Sequence, residues 1–186
     1  MLLTTFGASL LASGCARQPP AATQPAAESP YQPAATFQEL MDSVVDPAAD
    51  YLWQAVSTKV DAQGIHDFSP QTDVEWHQLR QHAIALVESA NLIAVPGRRV
   101  AHGATTIEDG AALDVGQIQK RLDTQHDQLL GFARALREIS LTLLADIDRK
   151  DTEAILEHGG TLDEVCEACH KVFWYPDQSP PFDTKK

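Results

Sequence analysis

Residues 166–170 read Cys166-Glu167-Ala168-Cys169-His170, near the C-terminal end of a sequence of 186 residues. In a helix the two cysteines and the histidine occupy positions i, i+3 and i+4, so their side chains fall on one face. Cys-x-x-Cys-His is the attachment sequence of a c-type haem: the two thiols form thioethers to the porphyrin and the imidazole binds the iron. The pentapeptide therefore predicts one covalently bound haem c. The alternative is a redox-active or zinc-binding cysteine pair, although no second pair and no βαβ pattern accompanies it.

Four stretches repeat apolar residues at spacings of three and four, which is the period of amphipathic helices. They predict helices over residues 36–60, 72–95, 115–148 and 151–175, with connecting loops over residues 61–71 and 96–114. The fold class that follows is all-α: an antiparallel four-helix bundle with the haem on the last helix.

Two local features qualify these helices. Pro47 lies inside the first pattern and removes a backbone donor, so we expect a kink or a break near Asp46. Gly159 and Gly160 weaken the fourth helix by roughly 1 kcal/mol each relative to alanine. Alternatively, the glycines admit a close neighbour such as the haem edge or another backbone.

The N-terminal residues predict an exported protein. Residues 2–13 are apolar but too short to span a bilayer, and residues 1–15 are therefore interpreted as a signal peptide. The stretch leading to Cys15 resembles a bacterial lipobox, in which that cysteine is lipidated, although no Lys or Arg precedes the apolar run. The alternatives are an ordinary signal peptide and a disordered apolar N-terminus. Both signal-peptide interpretations place the protein in the periplasm, and lipidation would anchor it to a membrane.

Two further segments are predicted to lie outside the folded domain, which spans residues 36–175. Residues 16–35 are rich in Ala, Pro and Gln and predict an extended tether. Residues 176–186 predict an irregular tail.

The charge excludes one class of partner. The formal net charge is −12, with 26 acidic and 14 basic side chains. No basic stripe of the kind that binds nucleic acid is present in the sequence, so we expect no nucleic-acid partner. A docked redox protein would instead be basic.

The position of the pentapeptide suggests a family. With Cys-x-x-Cys-His on the last of four helices, the chain resembles the cytochrome c′, or class II cytochrome c, family. The resemblance implies that Cys166 and Cys169 carry the thioethers and that His170 is the proximal ligand. It also implies that Met41, on the first helix, faces the other side of the iron, either as a sixth ligand or by packing over it.

Two residues depart from the family pattern. Cytochromes c′ usually carry an arginine where this chain has Phe37, and another where it has Trp174. The second arginine is implicated in gas binding, so its loss weakens an assignment to nitric-oxide handling. Phe173 keeps the aromatic position of the family.

Other candidate residues have alternative explanations. Arg98 and Arg99 could pair with haem propionates, but a simple charge pair at the end of a loop is the preferred interpretation. His158 lies about 120° around the helix from His170, so both cannot face one iron. His77 and His82 lie on a predicted helix that also presents charged side chains, so they are interpreted as residues of a solvated face.

These observations predict a membrane-tethered periplasmic cytochrome that transfers single electrons and is not an enzyme. The alternative is a five-coordinate haem protein that binds nitric oxide or carbon monoxide. A redox protein is the expected partner, and a homodimer is possible, with no interface indicated by the sequence.

Overall fold

The structure is a computed structural model in which residues 31–102 and 113–176 are described. The predicted signal peptide with Cys15, residues 16–30 of the tether and residues 177–186 of the tail lie outside the described residues. The described chain is mostly helical, with one small sheet. Its elements are α1 (Phe37–Leu40), a π-helical turn (Met41–Val45), α2 (Asp46–Ala55), β1 (Ser57–Asp61), β2 (Gly64–Phe68), α3 (Asp73–Ile93), α4 (Val115–Thr124), α5 (His126–Arg149) and α6 (Thr152–Phe173).

The predicted helix starts are confirmed, because each has a polar cap. The side chains of Thr36 and Thr72 accept hydrogen bonds from the main-chain amides of Glu39 and Glu75. Each glutamate carboxylate in turn accepts from the main-chain amide of its threonine. These reciprocal bonds satisfy amides that lack a partner within the helix. The side chain of Asp151 caps α6 in a simpler way, by accepting from the amide of Ala154.

The helices enclose one apolar core. Helix α3 packs against α5, α5 packs against α6, and α2 lies on α3. Leucine and isoleucine side chains fill the centre and are essentially inaccessible to solvent: Leu79, Leu86, Ile118, Leu143 and Leu162. Burial of this apolar face, more than intrinsic propensity, stabilises the helices.

The first helix is interrupted near Asp46, as expected, and the interruption is a π-helical turn. The amide of Asp46 donates to the carbonyl of Met41, five residues earlier, which defines a π-helical turn immediately before Pro47. The helix then continues to Ala55 and not to residue 60. A wider turn at this point lets the chain enter a proline without ending the helix.

The prediction of a loop over residues 61–71 was wrong. Residues 57–61 and 64–68 form an antiparallel hairpin in which Val60 pairs with Ile65. Asp61 Oδ1 accepts from the amides of Gln63 and Gly64 and so stabilises the turn, and Gly64 adopts a φ of 131°, which other residues rarely reach. The β-branched residues and this turn explain the hairpin.

The prediction of one continuous helix over residues 115–148 was also wrong. Gln125, with φ −120° and ψ 36°, separates α4 from α5. Its main-chain amide still donates to the carbonyl of Arg121. Its main-chain carbonyl accepts from the amides of Gln128 and Leu129 at the start of α5. Gln125 is the polar member of an otherwise apolar seam, and it is half-buried at the junction of the two helices.

No helix among the described residues is long and apolar enough to cross a membrane.

Candidate functional site

The end of α6, which carries the pentapeptide, is held by contacts from α4 and from the chain before it. Arg121 Nη1 donates to the carbonyl of Val172 at 3.1 Å, and the amide of Leu113 donates to the carbonyl of Trp174 at 2.8 Å. The carbonyl groups in the last turn of a helix have no partner within the helix. These bonds satisfy two carbonyls at this end and fix the position of the pentapeptide relative to α4.

Two adjoining cavities of about 290 and 330 Å³ lie between α6 and the first helical stretch. Six residues line both: Met41, Asp46, Ile93, Leu129, Cys169 and His170. Cys166 lines the second cavity together with apolar side chains of α5. The structure thus brings together four residues that the sequence singled out, on opposite walls of one space.

The two thiols are half-buried and in a poorly solvated position. Burial raises the pKa of Cys166 to about 11, with the carboxylates of Asp163 and Asp46 contributing. Burial also raises the pKa of Cys169 to about 12, with Cys166 contributing. Both thiols are therefore protonated at neutral pH. Redox-active cysteines react as thiolates and usually have a lowered pKa, so this environment is unlike that of a redox-active pair.

His170 is half-buried beside the same space. Burial lowers its pKa, and the carboxylates of Asp46 and Glu167 oppose that shift only in part. The imidazole is therefore neutral at neutral pH, which is the form that binds a metal. Its ring lies 5.9 Å from the ring of Tyr175, whose hydroxyl donates to Glu167 Oε2 at 2.5 Å. The chain after α6 thus folds back and limits the orientations of the histidine.

The π-helical turn determines which residues reach the cavities from the first helix. In a regular α-helix Met41 and Asp46 would lie about 140° apart, since each residue advances by roughly 100°. The i→i+5 hydrogen bond between them widens the turn, and both line both cavities. Asp46 was missed in the sequence because only this turn places it beside Met41. π-helical turns occur frequently at functional sites.

Carboxylates surround the cavities. Partial burial raises the pKa of Asp46, His170 opposes that shift once its imidazole is protonated in acid, and the carboxylates of Asp42 and Asp50 add to it. Five acidic side chains are among the lining residues: Asp42, Asp46, Asp50, Asp163 and Glu167. No lysine or arginine of the described chain lines either cavity.

The two residues at which the sequence departs from the family pattern also line the site. Phe37 and Trp174 both face the first cavity. Phe173, next to Trp174, is buried and meets Phe132 edge-on at 6.1 Å between ring centres. The end of α6 is thus surrounded by aromatic side chains.

Arg98 does not line either of the two cavities. Only 6% of its surface is exposed, one terminal nitrogen donates to the carbonyl of Ala35, and Nη2 donates to the carbonyl of Leu92 at 2.9 Å. The guanidinium also lies 5.9 Å from the ring centre of Phe37. Arg98 therefore fastens the segment before α1 to the end of α3, and the predicted charge pair is absent from the contacts of this side chain. Arg99 is exposed.

The other histidines lie away from the cavities. His158 lines neither cavity that His170 lines, and its Nδ1 contacts Asp146 Oδ2 at 2.6 Å. His77 is exposed, whereas His82 stacks on Tyr51 with 4.1 Å between ring centres. The expectation of a solvated face is confirmed for His77, and His82 is partly covered by the tyrosine.

Two further comparisons concern the site and the chain as a whole. Among the described residues, no three or more His, Cys, Asp and Glu side chains are grouped so that they could hold a metal ion by themselves. Comparisons of the chain with known protein families, curated proteins and solved structures found no match.

Proposed function

We propose that this protein is a c-type cytochrome that transfers single electrons. One observation carries the proposal: Cys166, Cys169 and His170 line a shared space whose opposite wall includes Met41. The two thiols of a Cys-x-x-Cys-His sequence attach haem covalently, its imidazole binds the iron, and a largely apolar cavity shields the porphyrin from water. The cytochrome c′ family remains the resemblance that fits this arrangement.

The arrangement of the helices is compatible with a four-helix bundle of that family. The first helix of the bundle would comprise α1, the π-helical turn and α2, and the third would comprise α4 and α5. Helix α3 would be the second and α6, which carries the pentapeptide, the fourth. The haem would lie between the first and last helices, where the cavities are.

Each residue would have a separate task. Cys166 and Cys169 would hold the porphyrin covalently, so that it cannot dissociate, and His170 would bind the iron. Ile93 and Leu129, which line both cavities, would exclude water from the porphyrin faces. The bound haem would supply an iron that gains and loses one electron, and the protein would tune its potential.

The proposal is tested by covalent attachment. The full chain is produced in a bacterium that matures c-type cytochromes, and haem is detected in the protein band after denaturing electrophoresis. We expect the wild-type band to be haem-positive, with an intact mass that is greater by one haem. The double variant Cys166→Ala/Cys169→Ala should lose both signals, whereas Ala168→Ser, inside the same sequence, should keep them. A haem-free wild-type protein would contradict the proposal.

Gas binding is the second candidate, and the apolar surroundings of Met41 favour it. If the thioether only packs in the cavity, the iron would keep one open position, and the reduced protein would bind carbon monoxide rapidly. If the thioether is a ligand, carbon monoxide must displace it and binds slowly. Stopped-flow mixing of the reduced protein with carbon monoxide distinguishes the two functions.

The location outside the cytoplasm is part of the proposal and rests on Cys15. We propose that the protein is anchored through a lipid on this cysteine and that it meets a redox protein, and not a nucleic acid, at the membrane surface. Cell fractionation tests the anchor: the wild type should sediment with membranes, and Cys15→Ala should not.

A further inference from the structure

The hairpin of β1 and β2 is exposed on both of its faces. All of its residues are exposed except Ser57, which is half-buried at the end nearest α2. Val60 and Ile65 form a cross-strand pair, and 75% and 72% of their surfaces are accessible. An isolated two-stranded sheet is marginally stable in water, and stable ones gain a third strand or a covering element. Within the described chain, no other strand pairs with this hairpin.

The pairing indicates which main-chain groups point outward. Asp61 and Gly64 are partners on either side of a two-residue turn, so they form the closing hydrogen-bonded pair of the hairpin. Hydrogen-bonded and non-hydrogen-bonded pairs alternate along an antiparallel ladder. Val60 and Thr58 are therefore non-hydrogen-bonded positions, and their amide and carbonyl groups point away from β2.

Because β1 pairs with no described strand on its other side, its outward-pointing groups can pair with another strand. We propose that the hairpin joins two copies of this chain, with β1 of one copy antiparallel to β1 of the other. In the register that we infer, Val60 lies on the two-fold axis opposite Val60 of the second copy. The result is a four-stranded sheet with an apolar row of Ile65, Val60, Val60 and Ile65 on one face. The proposal is independent of the haem.

Charge selects this register. It places Lys59 of each copy directly opposite Asp61 of the other, which gives two pairs of opposite charge. The register in which Thr58 lies opposite Val60 would instead place Lys59 against Lys59, which is unfavourable. In each copy, the contacts of Asp61 with His66 and with the turn amides all use Oδ1. The second carboxylate oxygen can accept from a lysine.

The predicted dimer is weak. A pair of five-residue strands covers much less than the roughly 800 Å² per partner of a standard stable interface. We therefore expect a dissociation constant between micromolar and millimolar. Such a dimer would form mainly where the protein is concentrated.

Sedimentation velocity of the full chain, up to about 1 mM, tests the proposal. We expect the wild type to dimerise reversibly. Lys59→Glu and Asp61→Lys should each be monomeric, because each places like charges opposite one another. An equimolar mixture of these two variants should dimerise again, since one chain then presents two carboxylates and the other two ammonium groups. Lys120→Glu, an equal change of charge on α4, should dimerise like the wild type.

Asp61→Lys also removes the carboxylate that accepts from the turn amides, so a second variant that keeps this carboxylate is needed. Val60→Pro removes an outward-pointing amide, which an edge strand tolerates but a paired strand does not. It should be monomeric with an unchanged helical circular dichroism spectrum. A wild type that stays monomeric throughout this range, or a dimer that Val60→Pro leaves intact, would overturn the proposal. A membrane surface is the other partner that an exposed apolar pair could contact. If Val60→Pro abolished binding to lipid vesicles and left dimerisation unaffected, the proposal would also be overturned.

Discussion

Met41 is the residue on which the choice between the two candidate functions depends. It is half-buried, and it lines both cavities with Cys169 and His170. A thioether that binds haem iron keeps it low-spin and raises its reduction potential. A thioether that only packs there leaves the iron high-spin.

We expect Met41→Ala to convert a low-spin spectrum into a high-spin one and to lower the reduction potential by on the order of 0.1 V. The measurements are the visible spectra of both oxidation states and a spectroelectrochemical titration. Val44→Ala is the matched control, because Val44 is half-buried in the same turn but does not line the cavities. A wild-type protein that is already high-spin in both states would assign Met41 to packing.

At the scale of elements, the junction between α5 and α6 depends on a buried carboxylate. Only 2% of Asp146 is exposed, and its two oxygens meet Arg149 Nη2 at 2.5 Å and His158 Nδ1 at 2.6 Å. His158 belongs to α6, so this carboxylate ties the last turn of α5 to the next helix. A buried carboxylate is tolerated only when it is paired in this way.

We therefore expect Asp146→Ala to destabilise the fold by roughly 2 kcal/mol, because it removes the acceptor of the partly buried His158, whereas the exposed Arg149 can bond to water instead. Asp148→Ala is the control: Asp148 also pairs with an arginine, Arg80, at 2.7 Å, but both side chains are well exposed. Loss of an exposed pair costs about 0–1 kcal/mol. Urea unfolding followed by circular dichroism measures both, and equal losses would contradict the distinction.

The start of α3 predicts a dependence on pH. Hydrogen bonds from the amides of Gln71 and Thr72 lower the pKa of Glu75. A carboxyl group with a lowered folded-state pKa stabilises the fold above its unfolded pKa, and this contribution is lost as the pH falls through the folded value. Glu75→Gln should therefore be less stable than the wild type at neutral pH and equally stable in acid.

Urea unfolding at pH 7 and at about pH 3 tests this expectation. Glu88→Gln is the control, since it removes a charge from the same helix far from the cap. A difference between wild type and Glu75→Gln that persists unchanged in acid would show that the ionised carboxylate is not the cause.

The helix starts were predictable from sequence because N-caps are local. Thr36 with Glu39, and Thr72 with Glu75, lie within four residues of one another, and the bonds they form need no other part of the chain. The hairpin was missed because residues 57–60 were assigned to the first helix and residues 61–71 to a loop on Gly64 and Pro70, although Val60 and Ile65 alternate with polar residues.

At the scale of the whole molecule, the charge should govern electron exchange. The chain carries a formal charge of −12, and the residues around the cavities include five carboxylates. A negative field attracts cations and repels anions, and salt screens both effects. The haem-loaded protein should therefore exchange electrons faster with a cationic complex than with an anionic one of equal driving force.

Stopped-flow oxidation with hexaammineruthenium(III) and with ferricyanide measures this difference, after correction for their driving forces. The cationic rate should fall with added salt and the anionic rate should rise. Asp42→Asn/Asp50→Asn should reduce both slopes, and Asp127→Asn/Asp148→Asn, an equal change away from the cavities, should affect them less. Rates that are independent of salt would contradict the expectation.

The sequence by itself determined the helical character of the chain, the caps of its helices and the pentapeptide whose three chemical groups share one helix face. All of these depend on residues within a few positions of one another, where spacing alone sets geometry. Only the tertiary structure decided that Asp46 joins Met41 at the cavity, that Gln125 ends a helix and that Arg98 bonds to the backbone. Those outcomes depend on a turn whose i→i+5 bond the spacing of apolar residues does not indicate, and on packing between distant parts of the chain, as in the bond from Arg98 to the carbonyl of Ala35. The pentapeptide placed two thiols and an imidazole on one wall of the site, and folding of the first helix supplied the other wall.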